Sequence, residues 1–76
     1  MTPADRLKKI RGSLVKSQKE MAALLGISYR TYENYEKGLN DPSWTACEAL
    51  AKLGFNANWL LTGEGEMRRN AANALP

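Results

Sequence analysis

Tyr29, Arg30 and Thr31, with Asn34 one turn further on, combine side chains suited to the edges of DNA bases. A guanidinium can bond guanine through two donors, and a carboxamide can do the same with adenine. A Thr methyl or a Tyr ring can meet the methyl group of thymine. This chemistry needs a rigid element that carries the four residues outward together.

The neighbouring sequence supplies that element. Ser17-Gln18-Lys19-Glu20 has the form of a capping box, and the spacing predicts a helix from it through Leu25. Met21, Leu24 and Leu25 are its expected apolar stripe, and Ala22 is small enough for close helix approach. Gly26 suits a left-handed cap, Ile27 is expected to be buried at the turn, and Ser28 caps the next helix. That helix, Tyr29 to Lys37, turns Tyr32 and Tyr35 inward and stops at Gly38. Two short amphipathic helices joined by Gly26 to Ser28 have the linker of a helix-turn-helix. Such a corner leaves the front of the second helix proud of the surface.

The rest of the chain reads as support. Thr2, Pro3 and Asp5 start a first helix, and Leu7, Ile10 and Leu14 give it an apolar side. Arg6, Lys8, Lys9 and Arg11 are expected on its surface, and Gly12 is expected to weaken or end it. Leu39 to Ser43 is a loop by composition, with Ser43 capping a fourth helix whose predicted inner face is Trp44, Cys47, Leu50 and Ala51. Asn56 caps a short fifth helix that buries Trp59 and Leu60. With no alternating run, the expected fold is all-α: a compact five-helix domain over residues 1–67, followed by a polar tail or linker over 68–76, with loose order expected beyond Gly63.

Composition narrows the function. The chain has 76 residues, one cysteine and no histidine, so metal coordination and His-dependent acid–base or nucleophilic catalysis are not expected, and no cofactor is expected either. Gly63-Glu64-Gly65 has no strand before it and no Lys-Ser/Thr after it, unlike a phosphate-binding loop. Cys47 reads as a small buried hydrophobe. No apolar run approaches the roughly 20 residues of a membrane span, and the simplest expected location is the cytoplasm. Residues 1–40 carry eight Lys/Arg against four Asp/Glu, a net +4, whereas residues 41–76 carry three against four, a net −1. A basic N-terminal half suits an anionic partner.

Ser17-Gln18, Ala22, Gly26-Ile27-Ser28, Tyr35-Glu36-Lys37-Gly38, Pro42-Ser43 and Asn58-Trp59-Leu60-Leu61-Thr62-Gly63-Glu64-Gly65 occur in the order seen in phage repressors. Over roughly residues 3 to 67 the chain resembles the lambdoid phage repressor and Cro helix-turn-helix family. The resemblance implies a non-enzymatic regulator that binds an operator in double-stranded DNA as a homodimer. It implies base contacts for Tyr29, Arg30, Asn34 and Thr31, and backbone contacts for Gln18, Lys37 and Asn40. Arg11 and Glu36 match positions that pair in relatives of the fold. Tyr32 departs from the usual Ile or Val, and Tyr29 from the usual small or amide residue. Phage repressors often continue into a C-terminal assembly domain, for which the residues after Met67 would serve as a linker. Antitoxins and restriction-control regulators share the fold, and a protein-interaction module could keep it without the DNA function.

Overall fold

The computed structural model describes residues 1–69. Five helices follow one another: α1 Pro3–Leu14, α2 Gln18–Leu25, α3 Tyr29–Lys37, α4 Trp44–Lys52 and α5 Ala57–Thr62. The all-α expectation holds, with one isolated antiparallel bridge, Phe55 to Arg68, among the described residues.

Local chemistry sets the helix ends. Thr2 and Ser17 each accept from the backbone N–H three residues on, and Asp5 and Glu20 return the bond to the cap backbone. These two carboxylates are held below their ordinary range, chiefly by the cap N–H groups of Thr2 and Ser17. Ser28, Ser43 and Asn56 cap the other three helices. Gly26 (φ +70°) and Gly38 (φ +78°) close α2 and α3 in the left-handed region, where a Cβ would clash with the carbonyl.

Gly12 does not end α1, which runs on to Leu14. Its backbone hydrogen bonds outweigh one poor residue, a cost of about 1 kcal/mol. The stop comes at Val15, a β-branched residue held left-handed at φ 54° with its N–H bonded back to Arg11 and Gly12.

The core is formed by Leu7 and Ile10 of α1, Met21, Ala22 and Leu25 of α2, Tyr32 and Tyr35 of α3, Ala46 and Leu50 of α4, Phe55, and Trp59 and Leu60 of α5. Helix α3 packs on both α1 and α2, and α4 and α5 close the other side.

Several inward expectations are corrected. Trp44 is 83% exposed, because the buried stripe of α4 is Ala46 and Leu50, which shares Leu50 with the predicted one but is rotated away from Trp44. Cys47 is only partly buried, and burial raises its thiol pKa. Leu24 points outward while Leu25 fills the core, and Ile27 is half-buried. Arg6 moves the opposite way: it is 6% exposed, donating from Nε to Leu60 O (2.8 Å), from Nη1 to Met1 O (2.7 Å) and from Nη2 to Leu61 O (3.3 Å). It thereby satisfies carbonyls that the last turn of α5 leaves open.

The segment after Gly63, expected to be loosely ordered, is fastened through Arg69. Asn56 N–H donates to Met67 O (2.8 Å), Arg69 N–H donates to Gly54 O (2.9 Å), and the Arg68 guanidinium stacks over the Phe55 ring. The remainder of the expected tail, 70–76, lies outside the described residues.

Candidate nucleic-acid interface

Helix α3 has two unlike sides. Tyr32, Tyr35 and Glu36 are buried, whereas Tyr29, Arg30 and Lys37 are exposed and Thr31, Glu33 and Asn34 are half-buried. The inward ring positions are what turn Arg30 and its neighbours to solvent, since residues one or two apart leave a helix in different directions.

The buried side is pinned by a polar cluster. Glu36 accepts from Arg11 Nε (2.8 Å) and Nη2 (3.1 Å), from Gln18 Nε2 (3.0 Å) and from the Tyr32 hydroxyl. Burial raises the pKa of this carboxylate, but the bonds from Arg11, Tyr32 and Gln18 outweigh it and hold the group below its ordinary range. Burial and the bond to Glu36 push the Tyr32 hydroxyl far above the usual phenol value, so it stays a donor. The departure from Ile or Val at Tyr32 thus has a structural role: the added hydroxyl lands on a carboxylate already fixed by Arg11. The cluster ties α1, α2 and α3 together and sets α3 against its support.

On the outer side, Arg30 makes no hydrogen bond or ion pair with any described residue. Thr31 is engaged by the cap: its N–H donates to Ser28 Oγ (3.1 Å), and its Oγ1 accepts from the Ser28 hydroxyl (2.8 Å). The Tyr29 hydroxyl lies between Gln18 Oε1 (3.5 Å) and Glu33 Oε2 (3.4 Å), and Lys19 Nζ lies 5.6 Å from its ring centre. Gln18 therefore touches both the buried carboxylate and the exposed ring. Lys37 and Asn40 come together along an open groove of about 400 Å³ between the start of α1 and the loop after α3, where Lys8 joins them.

Three residues of this surface escaped the sequence reading. Lys19 and Glu33 flank Tyr29, and Lys8 lines the same groove as Lys37 only because α1 packs on α3. Glu33 had a signal available, since it stands four residues after Tyr29 and four before Lys37, the spacing of neighbours on one helix side.

This arrangement is a pair of capped helices at a glycine corner, with an arginine at the front of the second that has no partner among the described residues. The helix-turn-helix domain family matches the chain over residues 4–66. The chain belongs to that family. No curated protein and no solved structure matches it closely enough to stand as a relative. As a helix-turn-helix domain, the protein is a DNA-binding regulatory module, and α3 is the element such modules present to the major groove. Among the described residues, no helix of this domain is long and apolar enough to cross a membrane.

Proposed function

We propose that this helix-turn-helix domain is a sequence-specific transcriptional repressor of the phage or prophage type, acting as a homodimer on a palindromic operator. Arg30 carries the reading. It is an exposed guanidinium at the front of α3 with no partner among the described residues, on a helix held by the Glu36 cluster. Tyr29, Arg30, Thr31 and Asn34 contact bases, while Gln18, Lys37 and Asn40 meet the sugar–phosphate backbone. One domain of this size covers a single half-site, so a two-fold pair reads half-sites about 10 base pairs apart or a multiple of that. Repression follows from excluding polymerase from the occupied site.

Arg30→Ala should cost about 1–3 kcal/mol of operator affinity and relax preference at one base pair. Lys37→Ala should weaken all sequences similarly and flatten the salt dependence. Titration against a selected site and a scrambled duplex at several salt concentrations separates the two. Unchanged affinity and preference in Arg30→Ala would remove α3 from the interface.

A protein-contact role has one specific observation in its favour: Trp44 is 83% exposed and Leu39 68% exposed. An antitoxin or restriction-control regulator, or a protein-interaction module, would use such side chains on a partner. Co-purification of a toxin, or partner binding without the counterion-release slope seen with DNA, would favour that reading.

A further inference from the structure

Helix α3 carries two acids, and they have different fates. Glu36 is buried and takes four hydrogen bonds, whereas Glu33 stands among the outward residues with a side chain 32% exposed. Glu33 is flanked in one row by Tyr29 and Lys37, whose hydroxyl and ammonium approach its two oxygens at 3.4 and 4.0 Å. Both contacts are longer than a well-formed hydrogen bond, so the carboxylate keeps most of its accepting capacity.

A carboxylate on a DNA-reading surface is costly, because it adds repulsion from phosphates and offers no donor. It becomes favourable only against an exocyclic amino group. In the major groove those groups belong to cytosine N4 and adenine N6, while guanine O6 and N7 and thymine O4 are acceptors that repel it. Cytosine N4 is the usual partner of Glu, since adenine sets its N7 acceptor beside its amino group.

We propose that Glu33 is a specificity-determining residue that selects cytosine at one base pair, accepting from its amino group and penalising the keto edges of guanine and thymine. The inference rests on the DNA-reading role of α3. It adds to that role a discriminator that acts by excluding sequences, next to Arg30 and Asn34, which act by attraction.

The test is selection from a random duplex pool by the wild-type protein and by Glu33→Gln, which keeps size and removes charge. Wild-type sites should carry a cytosine at one position where Glu33→Gln sites do not, with the other positions unchanged. Replacing that C·G pair by T·A should weaken wild-type binding roughly tenfold and Glu33→Gln binding far less. If Glu33→Gln tightens binding to all duplexes by one common factor and selects the same motif, Glu33 is only a repulsive charge and the proposal fails. Absence of salt-sensitive duplex binding by the wild-type protein would instead overturn the DNA-reading role itself, and this inference with it.

Discussion

The corner between α2 and α3 and the corner between α4 and α5 begin from similar materials and are held in different ways. At the first, caps and turn are contiguous in sequence: Ser17, Gly26, Ser28 and Gly38 supply both starts and both stops. At the second, Ser43 and Asn56 cap the helices, but distant chain completes the corner. Arg6 from α1 bonds the carbonyls of Leu60 and Leu61, and Met67 and Arg69 pair with Asn56 and Gly54. The caps and turn of the recognition corner are local, and the Glu36 cluster, with Arg11 from α1, adds one long-range tie on the buried side of α3. A packing corner tied by long-range bonds makes the first helix and the chain beyond Gly63 parts of one unit.

The largest effect is expected at that long-range tie. Glu36→Ala strips Arg11, Gln18 and Tyr32 of their common acceptor. The expected loss is about 3 kcal/mol, the lower end of the range for breaking a buried pair, because the Arg11 side chain keeps 28% exposure. Urea denaturation measures it, and a loss below about 1 kcal/mol would mean that the cluster does not anchor the helix. The same carboxylate predicts a pH dependence. Its folded pKa lies below the unfolded reference of 4.5, so its contribution is present above that value and is lost as pH falls through the lowered folded value. Stability should therefore drop as pH falls below 4.5, and drop less in Glu36→Gln.

Next in size is Arg6→Met, which keeps the buried aliphatic stem and leaves the α5 carbonyls without their donors. A loss of about 1–3 kcal/mol is expected, with faster amide exchange in α5 than in α3. Equal acceleration in both helices would erase the distinction between the corners. Gly26→Ala forces a Cβ into φ +70° and should cost about 1–2 kcal/mol through its own backbone, although no atom beyond the adjoining residues lies within 4 Å of that Cβ. The smallest changes are gains. Gly12→Ala, in open space within α1, and Val15→Gly, which relieves a left-handed valine, should each stabilise by about 0.5–1 kcal/mol in thermal melts. Destabilisation by Gly12→Ala would contradict the uninterrupted α1.

Most helix boundaries were legible because capping residues act within three or four positions of themselves. The outward direction of Arg30 was legible too, since the inward rings Tyr32 and Tyr35 leave it no other side. Trp44 was misplaced for a related reason. On a helix as short as α4, a stripe of Trp44, Cys47, Leu50 and Ala51 and one of Ala46 and Leu50 fit the periodicity about equally well. Small Ala46 lets α4 approach the core closely, and the large indole stays in water. Arg6 was misread because its partners lie 54 and 55 residues away. Periodicity carries no information about carbonyls left open on another helix.

The sequence by itself determined the five helices, the glycine corner and the residues offered at the front of α3, because caps, turns and hydrophobic stripes are set by near neighbours. Tertiary structure alone decided that Arg6 is a buried cap, that Trp44 faces solvent, and that Gln18 links Glu36 to Tyr29. In each case the side chain has more than one chemically acceptable partner. Which one it takes depends on the element the fold packs beside it.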